Sequence, residues 1–191
     1  MPSPYPILYI IAGPNGAGKT TASFNVLPTI LDCREFVNAD EIAKGLSPFD
    51  VESVAVQAGK LMLERINTLL QSGVSFAIET TLATSSYVHL IHKAKRLGYH
   101  IHLLFFWLES PQIACERVAK RVREGGHNIP RDIIERRYWR GLKNLFDKFI
   151  PIVDYWAIYD NNEHTKPIAS TSQKYNVTLF NKIERECQNR K

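Results

Sequence analysis

The chain has 191 residues, with 24 Lys and Arg against 19 Asp and Glu, a formal net charge of +5. Its 45% hydrophobic content suits one globular domain over 1–191 with a substantial core and excludes wholesale disorder. No apolar run reaches the roughly 20 residues of a membrane helix, the short run ILYII lacks a basic segment before it and does not read as a secretory signal, and three dispersed cysteines form neither a disulfide framework nor a zinc spacing; the expectation is a cytoplasmic protein with no membrane partner.

In chain order, ILYII (Ile7 to Ile11) reads as a buried strand, and Lys19 to Leu27 as the helix after a Gly-rich loop. Glu35 to Asn38 is a short second strand. From Val51 to Gly73 the apolar residues follow helical spacing, with Gly73 as C-cap. VSFAIE (Val74 to Glu79) is a third strand, Ser85 to Leu97 a helix, and Tyr99 to Leu108 a long fourth strand. Ser110 and Pro111 read as N-cap and first residue of the next helix. Glu124 to Asp132, with two glycines and a proline, breaks helical order before an amphipathic stripe of Ile134, Tyr138, Leu142, Leu145 and Phe149. YWAIY (Tyr155 to Tyr159) is a fifth strand, and the tail from 163 to 191 suggests a hairpin and a short helix. Such alternation predicts an α/β fold: a parallel five-stranded sheet with helices on both faces.

Ile11 to Ala22 reads IAGPNGAGKTTA. Gly13, four residues, then Gly18, Lys19 and Thr20 match GxxxxGK[ST], between a strand and a helix as a phosphate-binding loop requires. The segment Gly13, Pro14, Asn15, Gly16, Ala17, Gly18, Lys19, Thr20 and Thr21 can turn its amides inward as an anion nest at a helix N-terminus. Lys19 can reach the β- and γ-phosphates, and the Thr20 hydroxyl can take Mg²⁺. The cofactors expected are ATP and Mg²⁺. An ABC ATPase would need an LSGGQ-like signature and an apolar strand ending in Asp-Glu, which the chain lacks. A GTPase would need a base-reading NKxD, and Asn181 to Glu184 fails at its last residue. A small phosphotransferase fits what remains. The alternative is an ATP-hydrolysing switch with no small-molecule acceptor.

Ligands of open parallel sheets sit outside the carboxyl ends of the strands. FVNADEI puts Asp40 after the second strand, and FAIETTL puts Glu79 and Thr81 after the third. Asp40 is the candidate general base, with an N-cap as its structural alternative. Glu79 and Thr81 are candidates for holding the acceptor or, through water, Mg²⁺. Between Glu116 and Lys148 ten basic residues face five acidic ones, around the Gly125–Gly126 pair. Two helices joined by a flexible loop, over about 117–140, suggest a lid carrying arginines onto phosphates. The segment has no recognition helix or stacking aromatics, so no specific nucleic-acid partner is expected.

GPNGAGKTT, VNADEIA, IETTL, WLESP, RVAKRVREGGHNIP with a following RRY, and IYDNN occur in an order that resembles the zeta-toxin-like P-loop kinases, over Ile7 to Asn162. The resemblance implies a three-layer P-loop fold with sheet order 2-3-1-4-5, ATP with Mg²⁺, and transfer of the γ-phosphate to a hydroxyl. In better-known members that hydroxyl belongs to UDP-N-acetylglucosamine. Carried over by motif position, Lys19 and Thr20 belong to the phosphate site and Asp40 to the catalytic aspartate. Glu79 and Thr81 fall in the substrate-holding motif. Arg121, with Arg131 or Arg136, falls among the phosphate-binding arginines; Arg117 is placed with the nucleotide, and Asn161 near the adenine. The implied partners are a small-molecule acceptor and an antitoxin protein. The larger toxins carry a basic residue soon after the third-strand motif, where this chain has Leu82, Ala83 and Thr84.

Overall fold

The computed structural model describes residues 4–188; the last three positions of the 163–191 tail lie outside them. β1 (Ile7–Ala12) is the centre of the sheet because both its faces are apolar: Leu8, Ile10 and Ala12 point one way, Tyr9 and Ile11 the other, and all five are buried. β3 (Phe76–Thr80) and β4 (His100–Trp107) flank it in parallel register, with Ala12 opposite Thr80 on one side and Phe105 on the other. β2 (Glu35–Val37) extends the β3 side and β5 (Tyr155–Asp160) the β4 side, both parallel.

The sheet has six strands, not five. β6 (Lys166–Ser170) adds antiparallel to β5, giving the order β2-β3-β1-β4-β5-β6. A Lys-Pro start masks this strand in the sequence, and Pro167 is tolerated because β6 is an edge. The tail therefore forms an edge strand and the helix α7 (Val177–Gln188), which packs Phe180 and Ile183 against the core.

The other helices are α1 (Lys19–Thr29), α2 (Ala39–Leu46), α3 (Ala55–Ser72), α4 (Ser86–Arg96), α5 (Pro111–Arg123) and α6 (Arg131–Asn144). Ser110 caps α5, its side chain accepting from the Ile113 amide at 3.3 Å. The stripe expected to form one helix to Phe149 is α-helical only to Asn144; a π turn follows over Leu145–Phe149, then a 3-10 turn at Ile150–Ile152. The wider turn keeps both Leu145 and Phe149 fully buried. Within the span 117–140, α5 and α6 are anchored: Ile134 and Tyr138 are core residues, and the Tyr138 hydroxyl donates to the Leu108 carbonyl at 2.6 Å. The exposed part of that span includes the connection from Arg123 to Gly125.

Candidate active site

All five parallel strands end on the same side, and the Gly-rich loop leaves β1 there. Gly13 has φ +144°, and a Cβ on it would lie 2.3 Å from the Phe106 carbonyl oxygen, so only glycine lets the loop pass β4. The loop then turns into α1, whose first residue, Lys19, is buried with its ammonium donating to the Pro14 carbonyl at 3.0 Å.

Glu79, the penultimate residue of β3, is the hub beneath the loop. Its Oε2 accepts from the Thr20 hydroxyl at 2.8 Å and from the Asn38 side-chain amide at 2.9 Å, while Oε1 lies 3.6 Å from the Lys19 ammonium. Asn38 closes β2 and starts α2: its Oδ1 accepts from the Asp40 amide at 2.8 Å. Asn38, not Asp40, is thus the N-cap of α2. Asp40 sits one residue into the helix, free of the capping role, and opens into the cleft.

The cleft is about 560 Å³ and is lined by Lys19, Thr20, Asp40, Glu79, Arg121 and His127 among others. Arg121 reaches in from α5. Its Nη2 donates to the His127 carbonyl at 3.2 Å, and its Nε is buried without a partner. The Lys19 ammonium and the Arg121 guanidinium, beside the N-terminus of α1, give the cleft a cationic floor that a nucleotide phosphate tail fits. The oxygens of Thr20 and Glu79 are hard ligands suited to Mg²⁺, which binds through few protein groups when phosphates and waters complete its octahedron.

Burial pushes the Lys19 ammonium below its ordinary pKa, and the nearby Glu79 and Asp40 carboxylates pull it back up. Burial likewise lowers the pKa of His127; Asp40 opposes this, while Arg121 adds to it. His127, like Asp40, lines both the cleft and a second cavity of about 330 Å³, bounded by α2, the start of α3 and α6. His127 was not among the sequence candidates; its only signal was its place beside the two glycines. Asn38 was missed because its position is visible only once β2 and β3 pair.

The remaining candidates are distributed differently from the sequence expectation. Arg117 lines the cleft, but its guanidinium donates to the Asn161 carbonyl at 2.9 Å and also to the Asn162 carbonyl, clamping the loop after β5. Asn161 donates its side-chain amide to the Ala17 carbonyl at 2.7 Å, bracing the Gly-rich loop from below. Arg131 does not join the cleft: it is exposed and pairs with Glu135 at 2.8 Å, one turn along α6. Arg136 lines the second cavity rather than the phosphate cleft. Thr81 lies just beyond β3, with its carbonyl against α6 at Gly141, and is not among the residues lining either cavity.

A family model described as Zeta toxin matches residues 1–173. A protein of Haemophilus influenzae is 30% identical over 129 residues, 66% of this chain and 88% of that protein. Among solved structures, the complex of AvrRxo1-ORF1 with ORF2 and ATP superposes with a TM-score of 0.75 at 19% identity, over 94% of this chain. This chain spans 63% of that matched chain. The PezAT toxin–antitoxin system of Streptococcus pneumoniae superposes with a TM-score of 0.72 at 20% identity, covering 98% of this chain and 80% of that one. These structures share the α/β fold with a mostly parallel sheet flanked by helices.

Proposed function

The chain belongs to the zeta toxin family, and from that premise we propose that it is an ATP-dependent small-molecule kinase. The observation that carries the reading is one carboxylate, Glu79, joining Lys19, Thr20 and Asn38 under the loop while Asp40 faces the same cleft from α2. A pure hydrolase needs the first arrangement. An acceptor kinase also needs a free carboxylate beside a second cavity, and Asp40 lines both.

In this mechanism the loop amides and Lys19 hold the phosphate tail. Thr20 and Glu79 would hold Mg²⁺, which would neutralise charge on the β- and γ-phosphates. Arg121, which lines the cleft, meets the charge that grows on the transferring phosphoryl group. Asp40 accepts the proton of the acceptor hydroxyl as its oxygen bonds to the γ-phosphorus, and the bond to the β-γ bridging oxygen breaks to release ADP. Arg117 and Asn161 act by keeping the loop and the post-β5 turn in place. The exposed connection around Gly125 closes over the phosphates and excludes water.

Of the structures compared above, one joins AvrRxo1-ORF1 to ORF2 and the other comes from the PezAT toxin–antitoxin system. An antitoxin that blocks this cleft is the partner that reading supports. Among the described residues no helix is long and apolar enough to cross a membrane.

The test is γ-labelled ATP with hydroxyl-bearing metabolites. Label transferred to an acceptor, lost in Lys19→Ala, supports a kinase. Label released only as inorganic phosphate, at the same rate with every acceptor, would establish a hydrolase instead.

A further inference from the structure

We infer that the cavity between α2, α3 and α6 is the acceptor subsite, and that it takes a small hydroxylated molecule carrying an anionic group rather than a nucleotide sugar. This rests on the kinase reading above and adds the class of acceptor.

Position comes first. The cavity shares Asp40 and His127 with the phosphate cleft, so an acceptor held in it and a phosphate held in the cleft would border the same carboxylate. Size comes next. At about 330 Å³ it lies at the small end of ligand clefts, which run roughly 300–1,000 Å³. A base, ribose, diphosphate and hexose in series would have to extend beyond it. Its wall is aliphatic, from Ala43, Val51, Ala55 and Ile133, and none of its described lining residues is Phe, Tyr or Trp. A nucleobase would find no stacking platform there, whereas a short carbon skeleton packs against aliphatic groups.

Charge identifies the rest. Arg136 and Arg137 line the cavity from α6, and neither guanidinium makes an ion pair or hydrogen bond with another described side chain. A guanidinium without a side-chain partner at this cavity matches a carboxylate or phosphate, which its own fork can hold through two N–H groups. Glu52 lines the same cavity and can accept a hydrogen bond from a second hydroxyl of the acceptor. The reaction then balances as written for the kinase: an O–P bond forms at the acceptor, its proton passes to Asp40, and ADP leaves with the electron pair of the broken bond.

The experiment measures phosphoryl transfer from γ-labelled ATP to four sets of probes. Glycerate and gluconate carry a carboxylate. Glucose 6-phosphate and N-acetylglucosamine 6-phosphate carry a phosphate. Glycerol, glucose and N-acetylglucosamine are uncharged, and UDP-N-acetylglucosamine is the nucleotide sugar. The expected result is a kcat/KM at least about tenfold higher for one anionic set than for the uncharged set or the nucleotide sugar; whichever anionic set wins identifies the anion. Arg136→Leu should raise the KM for that acceptor by about tenfold or more, and Arg136→Lys by less, because the charge stays and the fork is lost. Binding of a non-hydrolysable ATP analogue checks that both variants are folded. Preference for UDP-N-acetylglucosamine, equal use of uncharged probes, or an unchanged KM in Arg136→Leu would overturn the inference while leaving the kinase reading standing. Failure of every probe in a protein that still binds the analogue would overturn it too. A wild-type protein that binds no ATP analogue would overturn both.

Discussion

The Thr20 hydroxyl donates to Glu79 Oε2 at 2.8 Å, tying the first turn of α1 to the end of β3. Two residues 59 positions apart thus share one hydrogen bond at the point where a metal and the phosphates would meet. Glu79→Gln keeps the size and removes the charge that Lys19, Thr20 and Asn38 converge on. Transfer is expected to fall by about 10²-fold, with a higher Mg²⁺ concentration needed for half-maximal rate. A magnesium titration of initial rates checks this; an unchanged midpoint would place Glu79 outside the metal site.

Asn38 separates structure from chemistry. Asn38→Ala removes the α2 cap and one of the bonds to Glu79. The loss of a cap is expected to cost about 1 kcal/mol, read as a fall in Tm of about 2–4 °C for a chain of this size. Asn38→Asp keeps an N-cap but sets a second carboxylate beside Glu79 in place of an amide donor, so it should lower Tm at least as much as Ala and also slow transfer. Matching activity in wild type and Asn38→Asp would count against a charge-sensitive site.

Gly126 positions Arg121. A Cβ on it would lie 2.7 Å from Arg121 Cγ and 3.0 Å from the Arg121 carbonyl oxygen. Gly126→Ala must therefore move the arginine or the backbone. Transfer is expected to fall about tenfold or more, mainly in kcat, because misplacing a charge-stabilising group acts on the transition state. A rise in the KM for ATP with kcat intact would show that Arg121 serves ground-state binding.

His127 links the site to pH. Its folded pKa lies below the ordinary imidazole value because burial disfavours the charged form. The unfolded chain therefore binds more protons in the window between the folded value and about 6.5, and stability falls as pH drops through that window. In His127→Gln the slope of Tm against pH just below 6.5 should be shallower than in wild type. Equal slopes would show that His127 is not held in its neutral form.

The sequence carried the parts of this site that depend on spacing. The Gly-rich loop is a contiguous pattern, and Asp40 and Glu79 are legible because each follows a short apolar run. What escaped depends on pairing in space. Asn38 becomes both a cap and a bridge only because β2 lies beside β3. Arg117, Arg121, Arg131 and Arg136 look alike in a basic segment, yet one clamps carbonyls, one enters the cleft, one pairs on the surface and one lines the second cavity. Helical phase alone does not separate them, because the neighbours that decide come from other elements. β6 was hidden for a related reason: an edge strand needs no apolar second face, so its pattern is weak.

If Asp40 takes the acceptor proton, Asp40→Asn removes the proton acceptor and little else. Asn38 already caps α2, so the substitution does not remove the cap, and the loop that binds phosphate is untouched. Rapid-quench single turnovers with γ-labelled ATP and the best acceptor isolate the transfer step, with affinity for a non-hydrolysable ATP analogue measured alongside. The account predicts analogue affinity within about twofold of wild type and transfer slower by about 10²-fold or more, the scale of losing a general base. Transfer at the wild-type rate would contradict it.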